Sequence, residues 1–208
     1  MPIFRSGQAV PSWCEMTFFE MVRLQEGQTY SFPRLANKEK LFVCEGHGSV
    51  LVGDVRSDAT RGQICDLNED GFIVSRVYEP TTMVRVCGNW GNEIGSYAVF
   101  TLDKSAHPRN DGDPTPYTRN TVFDQHYHDF DEYWIITKGR GRVVTEGQVY
   151  DVAPGDCVAT GMGHHHDFPL VFEEITGIYF ETTLQGQKRL GHLWNHTHGP
   201  AVPKLDRI

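Results

Sequence analysis

The sequence contains no apolar stretch long enough to cross a lipid bilayer. A membrane-spanning helix needs about 20 consecutive, largely apolar residues, and polar or charged residues interrupt every apolar run of this chain before that length. Residues 1–5 also lack the apolar region of a secretory signal peptide. We therefore predict a cytoplasmic protein with no membrane partner.

A surplus of basic residues is also missing. The formal net charge is −8, whereas a nucleic acid or an anionic membrane calls for a clustered basic surface. Hydrophobic residues make up 39% of the chain and aromatic residues 12%, which is enough for a globular core. The expected partner is a small-molecule substrate, and no nucleic acid.

The cysteines show neither the pairing nor the spacing of a disulfide framework or a thiolate metal site. Their number is odd, and they are widely separated along the chain. We expect all five to be small buried hydrophobic side chains: Cys14, Cys44, Cys65, Cys87 and Cys157.

No window of the sequence has a clear helical period, and short strand-like runs are present instead. Gly, Asp or Pro residues separate these runs, which are rich in β-branched and aromatic side chains. Examples are residues 40–44, 142–145, 148–150, 157–160 and 175–180. This pattern favours an antiparallel β-barrel.

Three potential metal ligands are spaced so that they share one face of an extended strand. Side chains alternate between the two faces of a strand, so His126 and His128 point the same way, and Glu132 has the same parity. A neighbouring strand can add a fourth ligand from the histidine triplet at residues 164–166. Imidazole and carboxylate ligands without a thiolate suit divalent Fe, Mn, Ni, Co or Zn. We therefore predict one divalent transition metal.

These two segments resemble the two sequence motifs of the cupin superfamily. The first motif, HxH followed by Glu and then Gly, is matched by His126, His128, Glu132 and Gly139. The second motif, Gly, five residues, Pro-x-Gly, two residues and His, corresponds to residues 155–166, with Gly161 in the place of the proline. The resemblance implies that His166 is the fourth ligand and that the fold is a double-stranded β-helix, or jelly-roll, barrel.

A similar pattern occurs earlier in the chain. At one constant offset, Glu39 falls on Glu132 and Gly46 falls on Gly139, which indicates two copies of one unit. Pro33 and Leu35 occupy the positions of His126 and His128, and neither side chain can bind a metal.

The prediction is therefore an all-β protein with two tandem cupin barrels. Residues 1–104 form an N-terminal cupin-like barrel that lacks metal ligands, and residues 105–208 form a C-terminal metal-binding barrel. The Pro-, Asp- and Gly-rich residues 103–120 connect the two. We also expect a homodimer, in which the first barrel stabilises the second or forms a subunit interface.

The same strand alternation predicts the residues that line the pocket. Trp134 and Phe168 point inward and form an apolar wall that contacts the substrate. His164 also points inward, and an imidazole with an ordinary pKa near ~6.5 can act as a catalytic acid or base at neutral pH. Arg189, in the polar tail of the chain, is a further candidate for substrate binding at the barrel mouth.

Three functions are compatible with this site. The first is a metal-dependent isomerase or epimerase of a sugar or hydroxy-keto compound, in which the metal stabilises an enediolate. The second is an Fe(II)-dependent dioxygenase or oxidase, and the third is a non-catalytic cupin that binds a small ligand. Bicupin proteins similar to sugar-phosphate isomerases have a comparable HxH and Glu segment, so we favour the first.

Overall fold

Every regular element that the computed structural model describes is a β-strand. Residues 3–66, 71–92, 94–109, 115–182 and 200–208 are described. In these ranges no helix is long and apolar enough to cross a membrane, and the all-β prediction is confirmed. The strands are β1 (Ile3–Arg5), β2 (Met16–Leu24), β3 (Tyr30–Pro33), β4 (Lys38–Val52), β5 (Val55–Thr60), β6 (Ile64–Asp66), β7 (Gly71–Gly88), β8 (Ile94–Leu102), β9 (Asp131–Thr145), β10 (Gln148–Val152), β11 (Asp156–Thr160) and β12 (His166–Thr182).

The chain divides into two compact units, each with its own curled sheet. One unit, which we call the site barrel, combines Met1–Cys14 with Gly91–Ile208. Its sheet has the order β1-β11-β9-β12-β8, and β10 pairs with β9; all of these pairings are antiparallel. Its core includes Ile136 and also Trp134 and Phe168, which agrees with the inward orientation predicted for the last two.

The second unit, which we call the N-terminal barrel, spans Glu15–Trp90. Its sheet has the order β2-β7-β4-β5, with β3 paired to β7 and β6 paired to β4. Apolar side chains from both long strands, including Leu41, Val43 and Met83, fill its core. The five cysteines of the chain are free; four of them are buried as predicted, whereas Cys65 is only partly buried.

The internal repeat predicted from the sequence is present in the backbone. Strands β4 and β9 are each 15 residues long and begin and end at equivalent positions of the repeat. Gly46 in β4 and Gly139 in β9 both have positive φ angles, 86° and 78°. Because glycine adopts this conformation without steric cost, both strands bend at the same place, which allows each sheet to curl.

The predicted boundary near residue 104 is wrong. Strand β8 precedes that boundary, yet it pairs with β12 along Ile175–Thr182, and β1 pairs with β11. The segment assigned as the connection lies within the site barrel: the side-chain amide of Asn120 donates to Val171 O and accepts from Val171 N. The division of the chain into two units therefore follows long-range strand pairing, and the composition of the sequence does not reveal that pairing.

Replacing Gly139 by alanine should destabilise the site barrel more than the same change at Gly147. Both residues have positive φ angles, so both variants carry the same backbone cost of about 1–2 kcal/mol. A Cβ at Gly139 would also lie 1.9 Å from Glu174 O, whereas a Cβ at Gly147 meets nothing within 4 Å. We expect Gly139→Ala to lose about 1–3 kcal/mol more free energy of unfolding in urea titrations. Equal losses would show that the close approach is unimportant.

In the N-terminal barrel, Glu39 occupies the position of the repeat that Glu132 has in the site barrel, and the guanidinium group of Arg85 forms an ion pair with it. Arg85 is buried, and its Nε and Nη2 atoms lie 2.8 and 2.5 Å from Glu39 Oε2. It also donates to Glu20 and to the carbonyl of Pro33. Burial alone would lower the pKa of Arg85, but the hydrogen bonds and charge of Glu39, together with Cys87 and Glu20, outweigh burial and raise that pKa. The positive charge next to Glu39 therefore comes from a side chain of the protein, Arg85.

Candidate metal centre

Four potential ligands converge inside the site barrel. His126 and His128 precede β9, Glu132 is its second residue, and His166 begins β12. One ligand atom from each of these side chains lies within 4.8 Å of the others, and all four residues are buried. The structure therefore brings together the four residues that the sequence predicts as ligands.

Backbone hydrogen bonds place the two histidine segments side by side. His126 and His166 form an isolated antiparallel bridge, in which each N–H donates to the other carbonyl at 3.1 and 2.9 Å. The N–H of Gly163 also donates to His128 O at 2.7 Å. These bonds hold the predicted HxH segment against the start of β12, although the two bridged histidines are 40 positions apart in the sequence.

The three imidazoles share one tautomer. Each Nδ1 lies 2.8–2.9 Å from a backbone carbonyl, which can only accept a hydrogen bond, so Nδ1 carries the proton. The pairs are His126 with Asp124 O, His128 with Phe130 O, and His166 with His164 O. In a neutral ring with this tautomer, Nε2 has a free lone pair and is available to bind a metal.

Charge states at the site also favour a cation. Burial lowers the pKa of His126 well below its ordinary value and lowers the pKa of His128, so both rings stay neutral. The site therefore presents the neutral imidazoles of His126 and His128 beside the buried carboxyl group of Glu132.

This set of acceptors fits a divalent ion. Glu132 Oε2 lies 3.1 Å from Nε2 of His128 and 3.1 Å from Nε2 of His166, and His166 Nε2 is buried with no hydrogen-bond partner. Acceptor atoms held this close in a buried site are unfavourable unless a positive charge joins them. Imidazole and carboxylate donors without a thiolate suit a transition metal such as Mn, Fe, Co, Ni or Zn.

A cavity of about 360 Å³ opens beside the ligands. Trp134 and Phe168 form one wall, with their rings stacked at a centroid distance of 5.8 Å, and Phe123 packs edge-on against Trp134 at 5.2 Å. The structure therefore puts both predicted wall residues in the pocket. Further apolar lining comes from Phe100, Leu102 and Val122.

Polar groups are concentrated at the ligand end of this cavity. His126 and Glu132 are joined there by Glu181 of β12 and Ser96 of β8. Neither Glu181 nor Ser96 is predicted as a site residue from the sequence. The only signal that could have found them is the strand register, since Glu181 is the cross-strand partner of Glu132.

His164 does not line this cavity, so its predicted role as a pocket acid or base is not supported. Its ring is buried, but Nε2 lies 2.8 Å from Lys204 O and Nδ1 lies 3.7 Å from a carboxylate oxygen of Glu146. Residues 161–165 form a turn ahead of β12, so the alternation used for the prediction does not apply to them. His165, also in the turn, donates its N–H to Glu146.

Arg189, predicted to contact the substrate, lies outside the described residues, as do His192, His196 and His198. The described C-terminal residues 200–208 contact residues that neighbour the potential ligands in the sequence. Arg207 forms a buried ion pair with Asp131, the residue before Glu132, and Asp131 Oδ1 accepts a hydrogen bond from Met162 N at 2.8 Å.

Comparisons with known proteins agree with the fold. A family model described as a cupin domain matches residues 117–179. The uncharacterized protein y4oW of Sinorhizobium fredii (strain NBRC 101917 / NGR234) is 45% identical over 210 residues, which covers 100% of this chain and 97% of that protein.

Several solved structures are similar in backbone. AerE from Microcystis aeruginosa has a TM-score of 0.59 and 11% identity, with 88% of this chain and 100% of that chain covered. Oxalate decarboxylase from Bacillus subtilis has a TM-score of 0.55 and 9% identity, with 91% and 78% covered. Protein Ylba from E. coli has a TM-score of 0.56 and 10% identity, with 89% and 83% covered. At these identities the similarity concerns the fold alone.

Proposed function

The chain belongs to the cupin superfamily, and from this we propose that it is a metal-dependent enzyme that moves protons on a small hydroxy-keto compound. The observation that carries the proposal is a set of four buried potential ligands, three imidazoles and one carboxylate, whose ligand atoms converge within 4.8 Å; two of them, His126 and Glu132, line the cavity. A divalent ion bound there would act as a Lewis acid toward a carbonyl oxygen of the substrate.

The cavity walls support a substrate with an apolar part. Seven of the twelve lining residues are apolar or aromatic, and the stacked pair of Trp134 and Phe168 offers a flat surface. A polyhydroxylated sugar would lose hydrogen bonds with water along such walls, at a cost of about 1–3 kcal/mol for each unpaired hydroxyl group. Of the substrates that we considered, a hydroxy-keto compound with an apolar body fits better than a sugar.

The remaining pocket groups support proton transfer over oxygen chemistry. Besides the ligands, the cavity is lined by Glu181 and Tyr179, both of which can accept or donate a proton. An isomerisation needs such a group next to the reacting carbon, and it needs neither an oxidant nor a reductant. The two alternative functions, an Fe(II)-dependent dioxygenase or oxidase and a ligand-binding cupin, are distinguished from this proposal by the experiment below.

The test begins with the metal content of the purified protein. The protein is then loaded under nitrogen with each of the five divalent ions in turn and mixed in D2O with 2-hydroxyacetophenone or hydroxyacetone. We expect one metal per chain and metal-dependent exchange of the α-protons, followed by proton NMR, with faster exchange for the phenyl compound because it fills the apolar cavity.

Two other results would replace this function. Substrate-dependent oxygen uptake by the iron-loaded protein, without proton exchange in the absence of oxygen, would identify a dioxygenase or oxidase. Binding of the probes with neither exchange nor oxygen uptake would identify a binding protein. A protein that holds no metal after loading would remove the basis of the proposal.

A further inference from the structure

A β-bulge in β8 lies next to Glu181, whose side chain lines the cavity. Against β8, the pairing shifts between Phe180 and Thr182, so Gly95 and Ser96 together lie opposite the single residue Glu181. Bulges of this kind re-aim a side chain and are frequent beside active sites. Against β9 the register is regular, and Glu181 pairs directly with Glu132. Cross-strand partners have Cβ atoms about 5 Å apart, so a second carboxylate lies next to the ligand set.

The carboxylate of Glu181 is held in one orientation. Its Oε2 atom accepts a hydrogen bond from the backbone N–H of Ser96, and the residue is only 7% exposed. Gly95 allows this close approach, because a Cβ at position 95 would lie 2.2 Å from Oε2 and 2.5 Å from the Cβ of Glu181. The Glu181 carboxylate can therefore occupy this position because Gly95 has no side chain.

We propose that Glu181 is the catalytic acid and base that transfers protons to and from the substrate carbon, an assignment that rests on the function proposed above. The requirement for such a group is not met by His164, which lies away from the cavity, whereas Glu181 lines the cavity beside Glu132. Glu181 differs from the four ligands because it lies outside the group whose ligand atoms converge within 4.8 Å.

The proton balance of the step is simple. The Glu181 carboxylate removes a proton from the carbon next to the carbonyl group, and the electrons of that C–H bond form a C=C bond while the C=O electron pair moves onto oxygen. Glu181 then returns the proton to the neighbouring carbon, the C=C bond reverts to a single bond, and a new carbonyl group forms from the hydroxyl as its proton passes to the first oxygen. The substrate is isomerised, and Glu181 ends the cycle as a carboxylate.

Glu181→Gln separates proton transfer from metal binding, because the amide keeps the size of the side chain but cannot act as a base. We expect this variant to retain one metal per chain by elemental analysis and to bind 2-hydroxyacetophenone, by equilibrium dialysis, as the unaltered protein does. Its α-proton exchange rate should fall about 10²–10⁴-fold, the usual contribution of general acid–base catalysis.

Two further variants sharpen the test. Gly95→Ala should slow exchange while metal binding persists, because the new methyl group displaces the Glu181 carboxylate without removing it. Glu173→Gln removes an exposed carboxylate from the same strand and should change neither metal content nor exchange.

The assignment is overturned if Glu181→Gln exchanges protons as fast as the unaltered protein, or if it loses its metal, which would make Glu181 a ligand. If the unaltered, metal-loaded protein itself exchanges no protons with either probe, the proposed function is wrong and the assignment of Glu181 is wrong with it. The two failures are distinguishable: in the first, the unaltered protein exchanges protons and only the result for the variant contradicts the assignment, whereas in the second the unaltered protein exchanges none.

Discussion

His166→Ala should lose the bound metal, while His165→Ala should keep it. His166 offers the Nε2 atom that is buried without a hydrogen-bond partner, 3.1 Å from Glu132. Changing a residue that merely orients a ligand costs 10–100-fold in metal affinity, so removal of the ligand itself should cost more than about 100-fold. Co(II) titration of the metal-free protein, followed by visible absorption and by elemental analysis after dialysis, measures this directly.

His165 is a matched control because it is the adjacent residue of the same triplet but is partly exposed and faces Glu146. His164→Ala provides a second comparison: it should retain the metal, and its main effect should be a loss of stability, because its ring contacts the carbonyl of Lys204. An empty site in His164→Ala together with a full site in His166→Ala would contradict the ligand set. Unchanged thermal unfolding of His166→Ala in the presence of EDTA would show that the loss concerns the metal and not the fold.

Arg85→Met should unfold the N-terminal barrel at markedly lower urea concentration. The methionine replaces the aliphatic stem of the arginine but not its guanidinium group, so it leaves the Glu39 carboxylate buried without its cation. Breaking a buried ion pair by removing one partner costs about 3–5 kcal/mol, because the remaining charge is unpaired. Urea titration followed by circular dichroism should report the loss, and the Co(II) stoichiometry of the site barrel should stay at one per chain.

The double variant Arg85→Met, Glu39→Gln is the control for this prediction. The neutral amide can still accept hydrogen bonds from the backbone N–H groups of Leu35 and Ala36, which Glu39 accepts now. The double variant leaves no unpaired carboxylate at position 39, so it should be more stable than Arg85→Met alone. If the double variant loses as much as both single variants together, the ion pair contributes nothing and the prediction fails.

The ligand set could be predicted from the sequence because it depends on local rules. His126, His128 and Glu132 share strand parity, and the spacing to Gly163 and His166 matches a known motif. The same parity rule failed two residues earlier, at His164, because Gly163 has a φ angle of 75° and the chain turns there. Alternation applies only inside a strand, and β12 begins at His166.

Residues that depend on pairing between distant strands could not be predicted. Glu181 reaches the site through its register with Glu132, and Arg85 reaches Glu39 across the long strands of the N-terminal barrel. Neither residue stands in a recognisable local motif. The division of the chain was missed for the same reason, because β1 and β8 join the site barrel only through their partners β11 and β12.

The discontinuous site barrel has a consequence for the order in which the protein folds during synthesis. Strand β1 leaves the ribosome first, yet Ile3 pairs with Val158, and at about 5–20 residues per second that partner follows on the order of ten seconds later. Every residue of the N-terminal barrel, Glu15–Trp90, is made during this interval. That barrel, in which Arg85 supplies the cation for Glu39, can therefore fold while the nascent chain is incomplete, whereas the site barrel must wait for translation to pass His166.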